Sequence, residues 1–150
     1  MRVKLIVAGL AVALFGSLAF ADLTPWKDYE VSEHVWAVTT VKVNSNMDDA
    51  YLEGLRDTWV AGNEVSKKLG QIEDWKIMRS DLPNSGDFNL LLMTKFKNTG
   101  AFGPSKKNYD DFVDAWSQKK VDETTEFAQK NYPAMRTITG GYLMRDIKLK

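Results

Sequence analysis

Two stretches far apart in the chain, WKIMRSD at 75–81 and GYLMRDI at 141–147, align on Met78 and Met144, which sets Ile77 over Leu143 and Arg79 over Arg145. The match is short, and its weight comes from where each copy falls, at the close of a strand–helix–strand unit. Segment 35–43, VWAVTTVKV, is β-branched and aromatic and stops at Asn44-Ser45-Asn46, so it reads as a first strand. Asn46 then caps a helix predicted over 47–69. Asp48 and Asp49 favour its N-terminus, and Leu52, Leu55, Trp59, Val65 and Leu69 recur at helical spacing. Lys67 and Lys68 in the last turn, with Gly70 just beyond, close it. WKIMRS is next, as a second strand, then LPNSG at 82–86 as a loop and FNLLLMTKFK at 88–97 as a third strand. The stretch NTGAFGPSKKN leads to a second helix expected over 109–131 and ended by Pro133, and a last strand is expected over 137–149.

Two such units with right-handed crossovers give an α+β fold of ferredoxin-like type: βαββαβ, an antiparallel four-stranded sheet with two helices on one face. The first and third strands are then central, and both are apolar on nearly consecutive residues, as strands buried on both faces should be. The edge strands carry Lys76, Arg79 and Asp81, or Arg145, Asp146 and Lys148, which suits exposure. Two helices cover one face only, while Trp36, Val38, Leu91 and Met93 alternate with Val35, Ala37, Leu90 and Leu92. An apolar face left in water is an association surface, so a second copy packed sheet to sheet is expected. The competing cover is the N-terminal segment DLTPWKDYEVSE, folded across the face through Trp26 and Tyr29.

At the N-terminus, Arg2 and Lys4 precede an apolar run from Leu5 to about Phe15, and Ala19-Phe20-Ala21 closes the segment. This is the pattern of a secretory signal peptide cleaved before Asp22. A membrane anchor would want about 20 apolar residues, so none is expected in the mature chain. The expected organisation is a signal peptide over 1–21, an extension over 22–33 and one domain over 34–150, with the product periplasmic or secreted. Removing residues 1–21 takes two of the 20 basic residues and none of the 20 acidic ones, leaving a net charge of −2. Such a domain has no general electrostatic grip on nucleic acid or an acidic membrane. The chain has no cysteine, so no disulfide supports it outside the cell and burial must do so alone.

This element order and burial pattern, over about residues 33–149, resembles the dimeric α/β-barrel superfamily, which includes the antibiotic biosynthesis monooxygenases and stress-responsive barrel proteins. The resemblance rests on the order of elements, without a signature motif. It implies a homodimer, a small hydrophobic ligand held between helices and sheet and, if the chain is an enzyme, cofactor-independent oxygenation. A fold carries many activities, so the site must be argued from its residues.

His34, the single histidine, could act as a general base, since its unperturbed pKa lies near physiological pH, although a lone strand-edge histidine more commonly has a solvated ring. Zinc sites are built from several His or Cys ligands, and neither expected helix carries a histidine for haem, so no metal or cofactor is expected. Asp110, Asp111 and Asp114 read as helix-start carboxylates and lack calcium-loop spacing. GAFGPSKK departs from the phosphate-loop pattern because Pro104 offers no N–H, and the loop instead suggests a flap over a cleft. The aromatic residues remain. Trp36, Trp59, Trp116 and Tyr142 could line a pocket for an aromatic or apolar molecule, with Asn63, Asn89 or His34 supplying hydrogen bonds. The plainer reading makes those rings core. Arg79 and Arg145 read as surface or dimer-contact residues. Two functions are therefore open: a secreted small-molecule-binding barrel protein, enzymatic or not, and a non-catalytic interaction or assembly protein.

Overall fold

The computed structural model describes residues 22–82 and 85–150, so the segment read as a signal peptide lies outside it. The elements in chain order are β1 (Tyr29–Val31), β2 (Val35–Val43), α1 (Asp48–Leu55), a π-helical turn (Arg56–Val60), α2 (Ala61–Lys68), β3 (Asp74–Arg79) and β4 (Leu90–Phe96). They continue with α3 (Thr99–Phe102), α4 (Lys106–Trp116), α5 (Gln118–Met135), β5 (Arg136–Met144) and β6 (Ile147–Leu149). The main sheet has the order β3-β4-β2-β5 and every pairing in it is antiparallel. This is the ferredoxin-like topology, with the first and third strands of the sheet at its centre.

The Met78 and Met144 echo holds in space. Met78 stands opposite Leu91, the second residue of β4, and Met144 opposite Trp36, the second residue of β2. The two faces divide as the alternation requires. Val41, Val43, Leu90 and Leu92 pack with Tyr51, Leu55 and Tyr132 from the helices into one core. The other face carries Trp36, Val38, Thr40, Leu91, Met93 and Tyr142, and among the described residues no helix lies over it.

Several boundaries differ from expectation, each for a local reason. The helix expected over 47–69 is one continuous run, widened by the π-helical turn in its middle. Met47, with no side-chain hydrogen bond, occupies its N-cap, while Asn46 takes a left-handed turn at φ 63°. Its end is as anticipated. Gly70, at φ 69°, lets the N–H groups of Gly70 and Gln71 return to the carbonyls of Lys67 and Ser66.

The helix expected over 109–131 is two. It begins earlier, at Lys106, because Ser105 caps it, and Lys106 and Lys107 pair with Asp110 and Asp111 one turn on. It breaks at Ser117, where φ 74° and ψ 142° interrupt the helix and the same hydroxyl caps α5. Pro133 does not end the second helix but lies within its last turn, before Met135. The expected flap contains α3, capped by Asn98, and Phe102 there stacks edge-on against Phe96 at 5.3 Å.

The strand expected over 137–149 also divides. Arg145 turns out of the sheet to bond the carbonyls of Ser32 and Glu33, each at 2.8 Å. The chain then forms β6, which pairs with β1 as a separate two-stranded ribbon. The N-terminal segment therefore pairs with the C-terminal tail, and hydrogen bonds cross the expected boundary between residues 33 and 34. Contrary to expectation, Arg145, Asp146 and Lys148 lie beyond β5 and do not protect its edge.

Burial of Tyr51 and Tyr132 pushes both phenol pKa values up, with the Arg136 guanidinium opposing the effect at Tyr51 and the Thr58 hydrogen bond opposing it at Tyr132. Unfolded tyrosine ionises near pH 10. Above that value the folded chain therefore retains protons that the unfolded chain has lost, and stability falls as pH rises. Thermal midpoints should be insensitive to these groups below about pH 9 and decline as the pH rises above about 10. In Tyr51→Phe that decline should be shallower.

Candidate functional site

The cleft of interest opens among three helices. Its wall on the first helix comes from Thr58 and Trp59 in the π-helical turn and from Gly62, Asn63 and Ser66 in α2. Phe112 and Trp116 from α4 form a second wall, and Thr124, Thr125, Ala128, Gln129 and Tyr132 from α5 the third. The volume is ≈ 450 Å³, within the range of small-molecule sites. No lining residue carries a formal charge at neutral pH.

Local sequence builds this space. The π-helical turn inserts an extra residue into the helical repeat and so rotates α2 relative to α1, a device frequent at functional sites. Thr58 donates to the Gly54 carbonyl at 2.8 Å, which uses its single proton, so Tyr132 is the donor in the 2.5 Å contact between the two hydroxyls. Trp59 meets Trp75 edge-on at 5.7 Å, and the Trp75 indole donates to Glu64 at 2.7 Å. Phe112 and Trp116, one turn apart on α4, stack edge-on at 5.2 Å. The Trp116 ring lies against Gly62, where a Cβ would come within 3.2 Å of it. Ser117 is the next residue after Trp116, and its strained backbone sets the angle at which α4 leaves α5.

Three of the residues singled out from sequence, Trp59, Asn63 and Trp116, meet in this cleft. The Asn63 amide donates to the Trp59 carbonyl at 2.7 Å and its oxygen accepts from Thr94 at 3.3 Å, so it is partly committed to structure. The others are elsewhere. Trp36 and Tyr142 lie on the open sheet face, where the Lys76 ammonium sits 4.4 Å from the centre of the Trp36 ring. Asn89 spends its amide on Val43, accepting from its N–H at 2.7 Å and donating to its carbonyl at 3.0 Å. His34 is at the start of β2, with Nδ1 2.7 Å from Glu73 Oε2 but without hydrogen-bond alignment. Among the described residues, no cluster of His, Cys, Asp or Glu is arranged to hold a metal ion.

Sequence reasoning missed Thr58, Gly62, Phe112 and Tyr132. The Phe112 and Trp116 spacing was a usable signal, since residues four apart share a helix face. Nothing in the sequence announced the π-helical turn.

No family model matches the chain, and no curated protein matches it in sequence. Its structure aligns with that of HapK from Hahella chejuensis at 9% identity and a TM-score of 0.46, covering 75% of this chain and 91% of that one. A dimeric protein of unknown function and ferredoxin-like fold from Bacteroides fragilis aligns at 11% identity and a TM-score of 0.41, over 81% of this chain and 100% of the other. A dabb family protein with a ferredoxin-like fold from Mesorhizobium loti aligns at 9% identity and 0.35, again over 81% and 100%. The likeness is one of fold.

Proposed function

We propose that this is an exported protein that binds an uncharged, flat, largely apolar small molecule in the cleft between α2, α4 and α5. The observation that carries the reading is the lining itself: four aromatic rings, Trp59, Phe112, Trp116 and Tyr132, with hydroxyl and amide groups and no charge. A charged ligand would find no partner of opposite charge among these residues. An aromatic molecule would gain ring contacts and one or two hydrogen bonds. Oxygenation without a cofactor needs a group at the cleft that moves a proton. The lining offers only hydroxyls and amides, with the Thr58 and Tyr132 hydroxyls bonded to each other, and it contains no histidine, carboxylate or amine, His34 lying elsewhere. The geometry therefore supports binding above catalysis. In this reading the mature chain begins at Asp22 and works in the periplasm or outside the cell.

The open face supports a second element of the proposal, a homodimer packed sheet to sheet through Trp36, Leu91 and Met93, with Val38 already buried beneath them in the single chain. Met78, Tyr142 and Met144 stand about half exposed on its rim, which makes an apolar patch of the kind that marks association surfaces. If the cleft is only packing, this face alone would carry the function and the protein would serve assembly.

Titration with 1-naphthol, followed by tryptophan fluorescence, tests the cleft. Trp116→Ala should weaken binding at least tenfold while Trp36→Ala leaves it unchanged. Equal binding by wild type and Trp116→Ala would remove the cleft from the proposal.

A further inference from the structure

The two edges of the main sheet are protected unequally. On β3 the edge carries Asp74, Lys76 and Arg79, with Asp74 held by Lys67 at 2.8 Å. Charges of this kind discourage further strand pairing. On β5 no residue after Arg136 is charged, and the strand runs nine residues, with TITGGYLM after the arginine. β5 pairs only with β2, so the backbone groups on its outer side bond to no other strand among the described residues. Its side chains are exposed on both faces, including Ile138, Tyr142, Leu143 and Met144.

A bulge interrupts β5 where Thr139 is squeezed out between the partners of Thr40 and Val41, and its hydroxyl meets that of Thr40 at 2.8 Å. Beyond the bulge, 140–144 is regular: Gly140, Tyr142 and Met144 point to the open face, and Gly141 and Leu143 to the helix face. This five-residue stretch is complementary to itself. Turned antiparallel about a two-fold axis at Tyr142, it sets Tyr142 against its own symmetry mate, Leu143 against Gly141, and Met144 against Gly140. Every pair then lies on one face of the sheet, and each large side chain covers a glycine opposite. The register centred on Leu143 sets Tyr142 against Met144 and leaves both glycines uncovered, and the one centred on Gly141 sets Leu143 against the bulged Thr139, which blocks pairing further back.

We propose that the outer edge of β5 pairs with β5 of a second copy, in the register centred on Tyr142, joining two main sheets edge to edge. This contact is separate from the sheet-to-sheet association and uses backbone groups that the latter leaves free. Five residues form a small interface, so the pairing is weak and best captured covalently.

The chain has no cysteine, which makes single-cysteine trapping unambiguous. Residues directly opposite in an antiparallel pair have Cβ atoms about 4.5–5.5 Å apart, close to disulfide range. Under mild oxidation, Tyr142→Cys should give a disulfide-linked dimer at least ten times faster than Leu143→Cys or Gly141→Cys alone. Mixing those last two variants should give the mixed dimer. Arg79→Cys, on the charged edge and paired with Leu90 on the helix face, should stay monomeric on denaturing gels. The Tyr142→Cys product should form equally fast when Leu91→Glu is added to disable the sheet face. Its loss in that background would show that face packing alone brings the tyrosines together, and would overturn the edge pairing while leaving the sheet-to-sheet dimer standing. Similar trapping at all β5 positions, or none at position 142, would overturn it outright.

Discussion

Leu91→Glu should convert the protein from a dimer to a monomer at micromolar concentration, measured by sedimentation equilibrium, without unfolding it. Leu91 lies on β4 opposite Thr40 and Met78, in the middle of the open face. In the monomer its side chain is only partly covered, so the new carboxylate is hydrated and costs little. In a sheet-to-sheet dimer the same carboxylate is pressed against apolar surface, twice by symmetry. Burying a charge without a partner costs several kcal/mol, and each 1.4 kcal/mol is about tenfold in affinity. The dimer should therefore weaken at least a hundredfold. Leu92→Glu provides the contrast, because Leu92 is buried in the core and the change should unfold the chain instead. Retention of the dimer by a folded Leu91→Glu variant would rule out the sheet face as the interface.

The topology was legible because binary patterning reports burial directly. VWAVTTV and FNLLLM are apolar on both faces of their strands, which marks them as the central pair of the sheet. Boundaries were less legible, because tertiary contacts set them. Pro133 is compatible with the last turn of α5, where chain direction is about to change anyway. Ser117 ends α4 through a backbone conformation that no sequence rule assigns to serine. The split between β5 and β6 depends on Arg145 reaching two carbonyls across a gap that is local only in the folded chain.

Of the site, the residue types were legible and the grouping was not. Tryptophans on strands and helices all read as possible lining, yet strand parity puts Trp36 and Tyr142 on the face away from the helices. Asn89 read as a free polar group, and its partner Val43 is distant in sequence. The cleft depends on the rotation introduced by the π-helical turn, which has no compositional mark. The pair of glycines in the first helix was visible, at positions where a helix former would otherwise be preferred.

The first of those glycines is the more tightly packed of the pair. Gly54 sits in α1 where a Cβ would come within 3.0 Å of Phe127 and 3.1 Å of Tyr132, closer than the 3.5–4.0 Å or so that carbon atoms prefer. Of the two rings, Tyr132 has little freedom to yield, while Phe127, 37% exposed, has more. Tyr132 is 5% exposed, bonded to Thr58, and meets Tyr51 edge-on at 5.1 Å and Phe127 edge-on at 5.8 Å. Replacing glycine by alanine in a helix gains up to about 1 kcal/mol of propensity, while overpacking costs about 1–3 kcal/mol, so Gly54→Ala should be mildly destabilising. Gly54→Val adds two further methyl groups at the same contact and a smaller gain in propensity. It should lose about 3 kcal/mol or more, seen as a thermal midpoint lower by roughly 10 °C. Gly62→Ala makes the control, since Trp116 borders the cleft and has room to move. Its midpoint should stay within a few degrees of wild type while 1-naphthol affinity changes. A Gly54→Val variant as stable as wild type would mean that Phe127 and Tyr132 are free to move apart, and that the crossing of α1 and α5 is looser than these contacts imply.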